Sequence, residues 1–426
     1  MAVLWDGLAA APGREVFETS AGRAADFLVC RRLYLDICGR LPTRADVERF
    51  VSSSDPGKVA NLVDELLSSE SYADYWSMRY CDMLRVKSEF PINLWPNAVY
   101  VYHRRIRAAI ANDEPWDAFA RALLGGRGSN FRVPESNFLR AVQTRTPAGV
   151  SQAASATFLL KPTDQYARYF SRVTWKRTRE WKEEITYLAD GSKDDTPDAF
   201  MELLEGKLKD RFHAAPVVRV HWWVYGKRPT RDCLSEWVEA FEKGGLRLKP
   251  LLRHVFTSPR YLAGPIRGGF PARRMDAEVL EDALCDLTGA KHDFRSIAPE
   301  PFTYLPKERR AVLIEDGSIT SPFLLLFGRP SRDSGELSER DNAITAKQRL
   351  QLFNSAKLWG DLGRIGQEPR MRNLSRPEKV EELYLRFLAR PPTAEEQQLL
   401  SKGKKKLGVR EIAWLLVNSR EFLYRI

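Results

Sequence analysis

Residues 34–43 read YLDICGRLPT, residues 221–230 read HWWVYGKRPT, and residues 384–393 read YLRFLARPPT. Each stretch is an apolar, aromatic helix end followed by a small residue, a basic residue, one variable residue and Pro-Thr. Elementary helix chemistry explains the order. Gly39, Gly226 or Ala389 closes one helix, the next Arg or Lys offsets its C-terminal dipole, and the Thr caps the following helix. Asp46 and Glu396 stand three residues after two of those threonines, at the position of a capping box, and Cys233 takes that place in the middle copy. Each copy then ends on Ser-x-x-aromatic, at Ser69 to Tyr72, Ser258 to Tyr261 and Ser419 to Phe422. These serines follow the capping Thr by 26, 28 and 26 residues. The Ser is expected to cap a short turn and the ring to plug the core.

The sequence therefore predicts an all-α or mainly α fold, with two helical domains built around a thrice-used unit of helix, Pro-Thr turn, helix and helix. The copies begin near residues 34, 222 and 384, too far apart for a stacked solenoid. The N-terminal domain is expected over 1–190, with the first unit at 31–75. The C-terminal domain is expected over 196–426, with units at 216–262 and 380–426 and an intervening segment at 271–360. The polar loop DGSKDDTPD at 190–198 marks the boundary between them. Elsewhere Leu62, Leu66 and Leu67, or Leu350, Phe353 and Leu358, recur at helical spacing.

With 426 residues, the chain exceeds what one core usually fills, and 43% hydrophobic with 29% charged residues excludes collagenous or wholly disordered classes. Lys and Arg number 67 against 56 Asp and Glu, a net +11 that favours anionic partners. The longest apolar run, Phe323 to Phe327, is far short of the ~18 residues that cross a membrane, so no membrane span is expected. The opening MAVLWDGLAAAPG lacks a basic n-region and Asp6 interrupts its apolar stretch, so no export signal is read there. Five cysteines (Cys30, Cys38, Cys81, Cys233, Cys285) form no C-x-x-C pair and are expected as buried free thiols. His103, His213, His221, His254 and His292 show no ligand spacing, so neither a metal site nor a cofactor is expected; His221 should pack beside Trp222 and Trp223. Serine-hydrolase, zinc-protease, P-loop and dinucleotide signatures are absent, and no catalytic residue is assigned. Asp36 is unusual in its apolar helix and is expected to pair with Arg32 or Arg40.

Two charged constellations stand out. After the apolar run come Arg329, Ser331, Arg332, Asp333 and Arg340, with Ser334, Glu336 and Glu339 among them. Arginine forks bind carboxylate, sulfate or phosphate, which makes this segment the candidate anion- or ligand-binding site. The competing expectation is an ion-pair brace satisfied among the segment's own three arginines and three acids. The second is RYFSRVTWKRTREWK at 168–182, read as part of a basic amphipathic helix over 164–188. Arg168, Arg172, Lys176 and Arg179 would share one face as a basic surface, with Tyr166, Phe170, Val173 and Trp181 on another.

The segments FLVCRRLYLDICGRLPTRADVERF, LVDELLSSESYADYW and WPNAVYVYHRRIRAAIANDEPWDAFARALL resemble the first planctomycete cytochrome-C-associated domain of unknown function. VVRVHWWVYGKRPT, RRMDAEVLEDALCDLTG, SPFLLLFGRPSRDSGELSERDNAITAKQRLQLFNS and LYLRFLARPPTAEE with LLVNSREFLY resemble its usual C-terminal companion domain. The resemblance implies exported bacterial proteins, often fused to c-type cytochrome or carbohydrate-binding modules, and an extracytoplasmic, periplasmic setting. It brings no established activity. Members commonly carry a C-x-x-C-H-like cluster where this chain has KPTDQYARYF, with neither Cys nor His.

The function expected from the sequence is a non-catalytic binding or scaffold component, with a protein partner or assembly and a glycan-handling context from the resemblance. The alternative is a hydrolase acting on acidic or sulfated glycans through the Arg329–Arg340 segment. A second alternative is nucleic-acid binding through residues 168–182.

Overall fold

The computed structural model describes residues 17, 19, 22–177, 183–187, 193–266, 269–296, 305–402 and 407–426. It is mainly helical, with 21 α-helices among the described residues. The N-terminal half contains α1 (Asp26–Cys38), α2 (Arg44–Ser52), α3 (Lys58–Leu67), α4 (Glu70–Met83), α5 (Pro96–Ala111), α6 (Trp116–Gly125), α7 (Asn137–Arg140) and α8 (Pro147–Leu159). A small sheet of β1 (Gly128–Ser129), β2 (Val173–Arg177) and β3 (Glu183–Tyr187) follows, with β3 central and both pairings antiparallel. The C-terminal half continues with α9 (Pro197–Glu205), α10 (Lys209–Tyr225), α11 (Arg231–Lys243), α12 (Leu248–Thr257), β4 (Arg273–Arg274), α13 (Ala277–Thr288), β5 (Arg295–Ser296), β6 (Ile319–Thr320) and α14 (Pro322–Leu326). It ends in α15 (Ala346–Asn354), α16 (Ala356–Ile365), α17 (Pro369–Asn373), α18 (Arg376–Leu388), α19 (Ala394–Lys402), α20 (Val409–Val417), α21 (Arg420–Leu423) and β7 (Tyr424–Arg425).

The same local chemistry stands at three places. Gly39, Gly226 and Ala389 follow α1, α10 and α18 in the left-handed region, at φ 60°, 69° and 60°. Thr43, Thr230 and Thr393 then accept the backbone N–H three residues on, and Asp46 and Glu396 return the bond to the threonine N–H. Ser69, Ser258 and Ser419 each accept the N–H of the aromatic residue three positions later. Those rings, Tyr72, Tyr261 and Phe422, are buried. A cap satisfies backbone donors that a buried helix start would otherwise leave unpaired.

The three units meet around α1. Arg31 donates to the carbonyls of Phe422 and Tyr424 at 2.8 and 3.1 Å. Arg32 donates to Ile426 at 2.8 Å and to the carbonyls of Tyr261 and Ala263. Asp36 differs from expectation: its carboxylate pairs with Arg425 and accepts the Tyr261 hydroxyl at 2.9 Å, rather than meeting Arg32 or Arg40. The chain's last residues run beside α1 and place Arg425 within reach, a proximity that no local spacing encodes. One hydrophobic core joins the halves, from Leu28 through Trp76 and Trp223 to Phe422.

The basic helix expected over 164–188 is not formed. Residues 167–170 make a 3-10 turn, and Val173–Arg177 pairs in register with Glu183–Tyr187. Val, Thr and Trp facing Ile and Thr form a period-two pattern that the pleated sheet satisfies better than a helix does. Val173 and Ile185 are buried, the Trp175 indole donates to the Leu139 carbonyl at 3.1 Å, and Thr174 meets Thr186 on the other face at 2.8 Å. Arg168, Arg172 and Lys176 therefore lie on a 3-10 helix, a turn and a strand rather than one helical face, with the Arg168 guanidinium over the Tyr169 ring. Arg179 lies outside the described residues.

Gly39 and Gly289 separate two costs of replacing a left-handed glycine. A Cβ on Gly289 would meet no atom within 4 Å, whereas one on Gly39 would lie 2.5 Å from the Tyr75 ring. Gly289→Ala should lose about 1 kcal/mol in urea unfolding, the conformational term alone. Gly39→Ala should lose about 3 kcal/mol, because overpacking is added. Equal losses would mean that Tyr75 does not close on the first turn.

Candidate functional site

The arginine segment was the leading site expected from the sequence, and its geometry is that of a brace. Arg332 is fully buried, and the side chains of Arg329 and Arg340 are 2% and 6% exposed. Their partners are not the segment's own acids. Asp82 on α4 takes Arg332 Nε at 2.8 Å and Arg340 Nη2 at 2.7 Å. Glu278 on α13 takes Arg340 Nη1 at 2.6 Å and Arg329 Nε at 3.4 Å. Asp276 joins the same network through Arg79 of α4 at 2.6 Å and the Tyr75 hydroxyl at 2.9 Å. Asp333 is held by Lys87 at 2.7 Å, Glu339 accepts the N–H groups of Asp333 and Ser334, and Ser331 is exposed. At the candidate anion site of Arg329, Ser331, Arg332, Asp333 and Arg340, the guanidiniums are engaged by carboxylates and carbonyls of both halves.

The electrostatics follow from burial against pairing. Burial opposes charge on Asp82, yet the Arg340 and Arg332 guanidiniums outweigh it and hold the carboxyl below its ordinary range. Asp276 is likewise held down against burial, chiefly by Arg79 and Arg340. Burial, together with repulsion from Arg332, lowers Arg329 to about 10. Arg332 itself adopts φ 61°, a strained backbone for a side chain with a Cβ, and its buried ion pair with Asp82 accompanies that strain.

A second cluster was not read from the sequence. Helix α13 carries Glu281, Asp282 and Cys285, and the left-handed Gly289 at its end turns the chain so that His292 returns over the last turn. Cys285 Sγ lies 3.6 Å from His292 Nδ1, and His292 Nε2 lies 3.2 Å from Asp282 Oδ1. Asp282 also accepts the N–H groups of Ala311 and Val312 at 2.6 and 3.2 Å. The imidazole stacks on Phe294 with centroids 4.7 Å apart. Burial disfavours the imidazolium, but the hydrogen bonds to Asp282 and Cys285 outweigh it and raise His292 to about 10. Burial lifts the Glu281 carboxyl to about 7. Glu281 and Cys285 open on a cavity of 270 Å³ with Ser321, Phe323, Leu352 and Leu358 in its wall. The only sequence signal was a Cys and a His on either side of a helix-ending Gly, too common a pattern to single out.

Among the described residues, no group of three or more His, Cys, Asp or Glu side chains is placed to hold a metal ion. KPTDQYARYF offers neither thiolate nor imidazole, so the ligand set of a C-x-x-C-H-like cluster is missing from it. His221 packs against Tyr225 and Trp237, at 4.8 and 5.2 Å between centroids, and its Nδ1 meets the Lys227 carbonyl. A groove of 560 Å³ lined by Phe270, Tyr384, Leu388 and Ile412 has carboxylates at Glu396 and Glu421, and both are held by Arg390. A further pocket of 310 Å³ is aromatic: Phe353, Trp359 and Trp414 line it with Asn354, Ser355 and Glu411. Trp414 lies 5.2 Å from Phe353 and 6.3 Å from Trp359, both edge-on. No helix among the described residues is long and apolar enough to cross a membrane.

Removing Asp82 strands two buried guanidiniums, so Asp82→Asn should cost about 3–5 kcal/mol in denaturant unfolding, and Arg332→Ala should also be strongly destabilising. A loss within ~0.5 kcal/mol would contradict the brace. Carboxyls held below their unfolded value add stability that is complete above that value and is lost as the pH falls through the folded one. The unfolded chain therefore takes up protons first on acidification, and Asp276→Asn should flatten the stability decline below pH ~4.

Comparison with known families places both halves. Residues 14–178 match the family model described as PSCyt2, protein of unknown function (DUF1549). Residues 266–403 match PSD1, protein of unknown function (DUF1553). Unit two, with α10 to α12, lies between the two matches, although its VVRVHWWVYGKRPT stretch was grouped with the C-terminal companion on sequence. Searches of curated proteins and of solved structures return no match. Asp82 and Asp276, the acids that tie the network together, fall one in each matched region, and the chain belongs to the PSCyt2–PSD1 pairing of domains of unknown function.

Proposed function

We propose that the protein is a binding component that holds a glycan, and that it works within a larger assembly. The observation that carries this reading is the aromatic pocket between α15, α16 and α20, where Phe353, Trp359 and Trp414 present ring faces and edges around 310 Å³. Aromatic walls with a few polar groups suit the apolar face of a sugar ring, and Asn354 and Ser355 stand at the same wall for its hydroxyls. The Arg410 guanidinium lies 5.6 Å from the Trp359 ring and adds positive charge for an acidic substituent. The assembly and the glycan-handling context rest on the family resemblance.

A hydrolase that grips an anionic glycan through Arg329 to Arg340 has less support, since those arginines are engaged by Asp82 and Glu278. Nucleic-acid binding through residues 168–182 loses the continuous basic helix face on which it rested.

Titration of the protein with cellohexaose and, separately, with a heparin hexasaccharide tests the reading by intrinsic tryptophan fluorescence. Saturable quenching by at least one of them is expected, with affinity reduced about tenfold in Trp359→Ala, the loss of one stacking contact. No response to either sugar, or a response unchanged in Trp359→Ala, would contradict it.

A further inference from the structure

Cys285 differs from the other thiols of the chain. Cys30, Cys38, Cys81 and Cys233 are buried, and burial pushes Cys30 and Cys81 up to about 12. Cys285 is partly exposed and borders a cavity of 270 Å³. Both nitrogens of its neighbour His292 are in use: Nδ1 faces the sulfur at 3.6 Å, and Nε2 faces Asp282 at 3.2 Å. Asp282 is fixed in turn by two backbone N–H groups from residues 311 and 312 and by the Arg310 guanidinium at 3.5 Å. A nucleophile, a base within reach of it and a third group that orients the base are the three parts of an activated side-chain nucleophile.

We propose that Cys285 accepts an acyl group from a small activated ester bound in this cavity, with His292 as the proton carrier and Asp282 as the residue that positions it. The sulfur attacks the acyl carbon, a carbon–sulfur bond forms, and the ester carbon–oxygen bond breaks. The leaving oxygen takes a proton from His292, the thiol's own proton replaces it on the imidazole, and the oxygen departs as an alcohol while the acyl group remains as a thioester. No oxidant or reductant enters the step. Leu284, Phe323 and Leu358 form an apolar wall beside Cys285, which suits a short aliphatic acyl chain, and Lys357 lines the same cavity. The inference goes beyond glycan binding and does not rest on it, because the aromatic pocket and this cavity share only Ser355 among their lining residues.

The test treats the full chain with p-nitrophenyl acetate at pH 7, follows release of p-nitrophenolate, and locates the acetyl group by peptide mass spectrometry. Acetylation of Cys285 is expected, with a burst that Cys285→Ser removes and that His292→Gln slows at least tenfold. The wild-type map is informative even if a variant fails to fold. Absence of acetyl from Cys285 in the wild-type protein overturns the proposal, as does acetylation at an unchanged rate in a folded His292→Gln variant.

Discussion

A guanidinium removed from water must find a carboxylate or several carbonyls, and the architecture of this protein is arranged around that requirement. Arg31, Arg32, Arg79, Arg332 and Arg390 are nearly or wholly buried. Arg31 and Arg32 are answered by main-chain carbonyls of residues 261, 263, 422, 424 and 426, so the three helical units are fastened through backbone rather than through side-chain packing alone. Arg79, Arg332 and Arg340 are answered by Asp82, Asp276 and Glu278, which joins the N-terminal half to the C-terminal half. Unsatisfied, any of these groups would cost several kcal/mol, so the fold is specified as much by charge compensation as by apolar burial.

The most densely charged segment is consumed in holding the halves together. The groups that face cavities include an aromatic trio on α15, α16 and α20 and the Cys285 thiol on α13, behind which stand His292 and Asp282. Both cavities touch Ser355, the junction between α15 and α16. The brace fixes α13 through Glu278, one turn before Asp282, so the element that carries Cys285 is anchored to the network at its own first turn.

How much of this was legible in the sequence depends on the range of each interaction. The Pro-Thr turns and Ser-x-x-aromatic endings were readable because their capping contacts are local, three to six residues apart: a left-handed Gly39, a Thr43 cap, an Asp46 return bond. The strand pair Val173–Arg177 and Glu183–Tyr187 departs from the helix expected there because Val173, Thr174 and Trp175 fit a helical face and a pleated face alike, and only the partner strand decides between them. The arginine segment was recognised as charged and specific, but Asp82 lies 250 residues before Arg332, so its role as a brace between halves could not be inferred from its own acids. Asp36 was read as structural for the right physical reason, an acid within an apolar helix, and its partner Arg425 lay beyond any local rule. The His292 and Cys285 pairing depends on the direction in which Gly289 releases the chain, which spacing alone does not state.

Calorimetry of the intact chain bears most directly on the buried charge network as the link between halves. One transition is expected, with calorimetric and van't Hoff enthalpies equal, because neither half can unfold without stranding the other's guanidiniums or carboxylates. Two resolved transitions, or a calorimetric enthalpy well above the van't Hoff value, would show halves that melt independently and would contradict the link.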